Sequence, residues 1–141
     1  AMKQGGHIVG NHSYDHPVVT VKNLEDQVQR AERYIEPNSD PKLFRFPGGR
    51  NAFDRRTVEK LRDELGYQSC GWTVDTRDWD NLPPEEIVRR VRDGAPGAQG
   101  TPRVQERGVV LMHMNGEHTL EALPGVIAVV RARGLTMPSL R

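Results

Sequence analysis

Lys42-Leu43-Phe44-Arg45-Phe46-Pro47-Gly48-Gly49 is the stretch that decides the fold class. A short apolar run of strand length is cut off by a Pro-Gly-Gly turn, and Asp54 then opens a helix whose apolar face is Val58, Leu61 and Leu65. Aspartate suits that opening position because its carboxylate accepts an otherwise unpaired helix N–H. Gly66 suits the other end, where a left-handed residue closes the last turn. A second apolar run, residues 67–74, follows directly and is expected to be a strand. Strand, turn, helix and strand in this order are the repeating unit of a parallel β/α architecture.

The same alternation extends in both directions. Upstream, His7-Ile8-Val9-Gly10 reads as a strand, and residues 23–35 as a helix with Leu24, Val28, Ala31 and Ile35 on one face and Asn23 as its N-cap. Downstream, Pro83-Pro84 opens a helix carrying Ile87, Val88 and Val91 that ends at Gly94. Residues 95–108 are rich in glycine, proline and polar side chains and are expected to form an exposed loop. Residues 108–112 read as a buried strand, and residues 119–133 as a last helix with Leu120, Leu123, Ile127 and Val130 inside. Leu135-Thr136-Met137 is expected to add a short final strand. No repeat, low-complexity tract or domain boundary interrupts the pattern, so one domain is expected over residues 1–141.

Bulk composition narrows the function classes. With 35% hydrophobic and 28% charged residues over 141 positions, the chain can bury one core. A net charge of +1 leaves no basic footprint of the kind a nucleic-acid partner requires. Cys70 is the single cysteine, which excludes an internally disulfide-stapled domain, and it reads as a small buried residue. No apolar run approaches the roughly 20 residues of a membrane-spanning helix.

The polar residues of chemical interest each follow a predicted strand, where parallel α/β folds place their sites. They are therefore expected to form one site. Asn11-His12-Ser13-Tyr14-Asp15-His16-Pro17 holds two histidines four apart. On one face of a helical turn both imidazoles could reach one metal ion, although such a pair also arises by accident. Ser13 could support a ring nitrogen of one of them. Arg45, at the end of its strand, is either a surface cation or a group that grips a carboxylate bidentately. The Pro47-Gly48-Gly49 turn could turn backbone N–H groups toward an oxyanion. Asp75-Thr76-Arg77-Asp78-Trp79 offers two carboxylates and an indole, as either a capped loop or part of a site. His113, directly after Val109-Val110-Leu111-Met112, is either a satisfied core residue or a general acid.

In this order the four groups resemble the motifs of polysaccharide deacetylases with a NodB homology domain (carbohydrate esterase family 4). His12-Ser13-x-x-His16 is similar to that family's metal-binding histidine pair. Arg45-Phe46-Pro47-Gly48-Gly49 is similar to its Arg-x-Pro-Tyr-Gly turn. Asp75-x-x-Asp78-Trp79 resembles its Asp-x-x-Asp-Trp segment, and Leu111-Met112-His113 its Leu-x-His. The resemblance runs over residues 6–134.

The resemblance implies a distorted (β/α) barrel and a metal-dependent hydrolase that removes acetyl groups from peptidoglycan, chitin oligosaccharide or acetylxylan. It implies a divalent metal, usually zinc, on His12 and His16, with His113 as the acid that protonates the leaving group. Asp75 is expected to hold the other ring nitrogen of His113, and Arg45 to orient the catalytic base. Trp79 and Leu111 are expected to wall the acetyl pocket, with Gly48 on the substrate side and Asp78 in support. An extracellular or cell-envelope location is implied as well.

Two departures qualify the resemblance. Gly48 replaces the family's tyrosine, which keeps a backbone donor and loses part of the substrate wall. The family's Thr-Phe-Asp-Asp-Gly-Pro motif supplies both the catalytic base and a third metal ligand, and no Asp-Asp pair occurs in the 141 residues. The expectation is a barrel incomplete at its N-terminus, with no activity from these residues alone. The other reading is a non-catalytic carbohydrate-binding relative.

Overall fold

A computed structural model describes residues 2–95 and 101–138. The chain divides into two compact units. One comprises the described residues up to Gly71, and the other is Trp72–Pro138.

The first unit is built around α1 (Leu24–Glu32), β1 (Lys42–Phe44), α2 (Arg55–Asp63) and β2 (Tyr67–Ser69). β1 and β2 pair in parallel with Phe44 opposite Ser69, and Asn11 adds a parallel bridge to Phe44. The expected strand at residues 7–10 is therefore reduced to that bridge. Asp54 caps α2 as expected, its side chain accepting from the Thr57 N–H at 2.9 Å. Asn23 precedes α1, but its Oδ1 accepts from the Thr20 N–H at 2.7 Å and closes the incoming turn. Val19, Leu24, Val28, Phe44, Phe46, Leu61 and Tyr67 form the core. Cys70 lies at its margin, half-buried, with its thiol 3.8 Å from the Arg45 guanidinium.

The second unit contains β3 (Val74–Asp75), α3 (Pro84–Asp93), β4 (Val110–Leu111) and α4 (Thr119–Ala132). β3 and β4 pair in parallel, with Asp75 opposite Leu111. The run read as one strand at residues 67–74 is thus two strands, one in each unit. Val74, Ile87, Val91, Val104, Ala122, Val126 and Val130 make the core. Val104 falls in the segment expected to be an exposed loop, yet it is buried, and its N–H donates to the Val91 carbonyl at 2.9 Å. Residues 96–100 of that segment lie outside the described residues. Leu135-Thr136-Met137 is irregular and forms no strand. Among the described residues, no helix is long and apolar enough to cross a membrane.

Candidate active site

In each unit the residues singled out in the sequence lie at or just beyond the C-terminal ends of the short parallel strands. In the first unit the bridge at Asn11 leads into His12–His16. The two imidazole rings stand edge to face, with centroids 4.9 Å apart. The residues between them are not a helical turn, which corrects the expectation drawn from their spacing. Ser13 and His16 both lie in the left-handed region, at φ 71° and 56°. Such positions cost a non-glycine residue on the order of 1 kcal/mol and persist only where neighbours enforce them.

Ser13 supports the backbone of the turn through its side chain. Its hydroxyl accepts the His16 N–H at 3.1 Å. The ring contact expected of Ser13 belongs to Arg45, whose carbonyl lies 2.7 Å from His12 Nδ1. A carbonyl can only accept, so His12 Nδ1 carries a hydrogen. The Arg45 side chain reaches the Cys70 and Gly71 carbonyls, each at 3.3 Å. In the following turn Gly48 and Gly49 have φ of 58° and 68°. The Gly49 and Arg50 N–H groups are engaged by the Phe46 and Pro47 carbonyls. Of the donors expected to face an oxyanion, only the Gly48 N–H remains among the described residues.

In the second unit β4 ends at Leu111, and His113 follows two residues on. Its Nδ1 lies 2.8 Å from Asp78 Oδ1, and its peptide N–H donates to Asp78 Oδ2 at 2.6 Å. Asp78, not Asp75, is therefore the carboxylate that holds this ring. The Asp75 carboxylate instead accepts the Arg77 N–H at 2.9 Å, closing a local turn. Arg77 then takes a left-handed conformation, φ 53°, and a 3-10 turn at Asp78–Asp80 carries the second carboxylate inward. Asp78 is fully buried. Burial alone would raise its pKa. The Thr119 hydroxyl, at 2.6 Å, together with the peptide and ring donors of His113, outweighs that and holds it below the ordinary carboxylate value. Trp79 is half exposed, with the Arg77 guanidinium 5.4 Å from its ring centroid, whereas Leu111 is buried.

Sequence reasoning missed three contributors: Asn11 and Gln27, which hold the histidine turn, and Thr119, which holds Asp78. Gln27 left a signal, being a polar residue on the buried Leu24, Val28 and Ala31 stripe of α1. Thr119 left none, because a hydroxyl residue at a helix start is expected on capping grounds alone.

The match to known proteins follows this geometry. Residues 1–70 match the family model described as polysaccharide deacetylase. Over those residues, just under half of its length, the chain is similar to the polysaccharide deacetylase family. The structure resembles that of a family 4 carbohydrate esterase from Streptomyces lividans, with a TM-score of 0.78 and 27% identity, covering 99% of this chain and 68% of that one. It also resembles a family 4 pseudoenzyme from Bacillus anthracis, with a TM-score of 0.76 and 30% identity, covering 96% and 45%. In sequence it is 28% identical to a peptidoglycan-N-acetylmuramic acid deacetylase of Bacillus subtilis over 99% of this chain and 52% of that one. The fold is the α/β fold of the NodB type. The chain spans 39%, 68% and 52% of the length of three curated relatives.

Whether His12 and His16 suit a metal ion can be judged from their donors. His12 and His16 are imidazole donors of the type zinc accepts, and the carbonyl behind His12 Nδ1 is the outer support such ligands usually have. Among the described residues no group of three His, Cys, Asp or Glu side chains is placed to hold one ion. The pair fits a metal as a partial ligand set.

Proposed function

We propose that this chain supplies a metal-binding histidine pair and a proton donor to the hydrolysis of N- or O-acetyl groups on a polysaccharide. The Asp78–His113 pair carries the reading, because a buried ionised carboxylate fixes the imidazole by Nδ1 and leaves Nε2 for proton transfer.

His12 and His16 would hold a divalent ion, with zinc the choice their donors favour. Once bound, such an ion supplies Lewis acidity toward an acyl oxygen and toward water. His113 delivers the proton from Nε2 to the departing amine or alcohol. Asp78 keeps the ring oriented, and the Thr119 hydroxyl keeps Asp78 an acceptor. The Gly48 N–H is the turn donor available to an oxyanion. Arg45 supports His12 through its carbonyl, and its side chain is assigned to orienting the catalytic base. Trp79 and Leu111 are assigned to the acetyl pocket. The substrate is an acetylated glycan of the peptidoglycan, chitin or acetylxylan type, and a cell-envelope or extracellular location follows from a peptidoglycan substrate.

The test fuses the Asp-Asp-bearing strand of a family member ahead of residue 1 and measures acetate released from peptidoglycan fragments, acetylated chito-oligosaccharide and acetylxylan. Chelator-sensitive release that is lost in His113→Ala is the expected result. A second reading, a binding module without chemistry, is favoured by the likeness to the Bacillus anthracis pseudoenzyme. Retention of the glycans without acetate release would establish it and overturn the first.

A further inference from the structure

The four consecutive peptide N–H groups from Ser13 to His16 all donate to side-chain oxygens. Ser13 N–H donates to Asn11 Oδ1 at 2.9 Å, and His16 N–H to Ser13 Oγ at 3.1 Å. Tyr14 and Asp15 N–H both donate to Gln27 Oε1, at 3.0 and 2.9 Å. A helical turn would have sent the His16 N–H to the His12 carbonyl. This turn has side chains as its template instead.

The two carboxamides that template it are nearly inaccessible, with Asn11 2% and Gln27 5% exposed. Asn11 is fixed by donating to the Val28 carbonyl at 3.1 Å. Gln27 donates its amide to Asp15 Oδ2 at 3.1 Å, so its carboxamide is bound at both ends. Asp15 is held from outside by Arg30 at 2.7 Å. A buried polar side chain on an otherwise apolar helix stripe needs such a complete set of partners. Here every side-chain hydrogen-bond partner of Gln27 among the described residues lies between the two histidines.

We infer that Gln27 is a positioning residue for the His12–His16 pair. From α1 it holds the intervening peptides and sets the left-handed His16 backbone from which that ring projects. The inference rests on the metal-binding reading of the pair. Glutamate at this position keeps the acceptors for both N–H groups and loses the donor to Asp15. Methionine, close in size, loses all three bonds.

The experiment uses the 141-residue chain and zinc alone. Zinc affinity is measured by titration for wild type, His12→Ala, Gln27→Met, Gln27→Glu and the exposed-face control Gln29→Met, at a temperature where circular dichroism shows each folded. Amide hydrogen exchange is followed at Tyr14 and Asp15. Loss of an outer support of a metal ligand typically costs about 10–100-fold in affinity. The expected result is a loss of that size in Gln27→Met and a smaller one in Gln27→Glu, with faster exchange at Tyr14 and Asp15 and no change in Gln29→Met. A purely structural Gln27 would lower the melting temperature yet leave zinc affinity of the folded protein unchanged, which overturns the inference while the metal reading stands. Zinc binding that survives His12→Ala would remove the metal reading and, with it, the role given to Gln27. Should Gln27→Met fail to fold, Gln27→Glu decides on the same two readouts.

Discussion

Asp78 shows how far single residues could be identified from the sequence. Both carboxylates of Asp75-x-x-Asp78 were visible, but which of them faces His113 depends on the left-handed Arg77 between them. That conformation has no signature in residue type, since arginine at positive φ is uncommon. Once the geometry is known, a pH dependence follows. The folded-state pKa of Asp78 is depressed, so its stabilising contribution is complete above the unfolded value of about 3.9 and is lost as pH falls through the lower folded value. Asp78→Asn places an amide against three donors and is expected to destabilise the protein by about 1–3 kcal/mol at pH 7. Urea unfolding at pH 7 and pH 3 is the check: the gap between variant and wild type should narrow at the lower pH. At the surface, Asp54→Ala removes the α2 cap and should cost about 1 kcal/mol at neutral pH.

At the scale of elements, the helices were legible and the strands only in part. Helix periodicity is written into many residues, and four helices appear where apolar spacing and capping residues placed them. The strands are two or three residues long, which leaves little pattern to read. The histidine turn was misread because a spacing of four is compatible with a helix and does not require one. The face of α4 was misjudged in part, Val130 being buried as expected and Leu123 exposed. Leu120 is 82% exposed, while Ala122, Val126 and Val130 point into the core at intervals of four. Gly125 explains the choice of face, since a Cβ there would sit 2.7 Å from Val88 on α3, so the two helices meet closely along that stripe. Thermal unfolding should therefore separate two aliphatic truncations on one helix. Val126→Ala is expected to cost about 1.5–3 kcal/mol, the worth of burying such a side chain, and Leu120→Ala less than about 0.5 kcal/mol.

For the whole molecule, the sequence carried the resemblance to the family, while the run spanning residues 67–74 reads as continuous although its two ends serve different cores. The ligand inventory sets the expectation at this scale. A catalytic zinc site normally has three protein ligands and an open position. His12 and His16 provide two, and no third is placed with them among the described residues. Two imidazoles on a preformed turn still hold zinc better than two on a flexible chain, because the ordering has been done by folding. The 141-residue chain should therefore bind zinc one-to-one but weakly. Isothermal titration at pH 7.5 measures both the stoichiometry and the affinity. Acetate release by the same chain should be undetectable, since no third ligand is placed with the pair among the described residues and the 141 residues contain no Asp-Asp pair. A tight complex that survives His12→Ala, or turnover without an added carboxylate ligand, would mean that the metal is held elsewhere and that the histidine pair has been wrongly assigned.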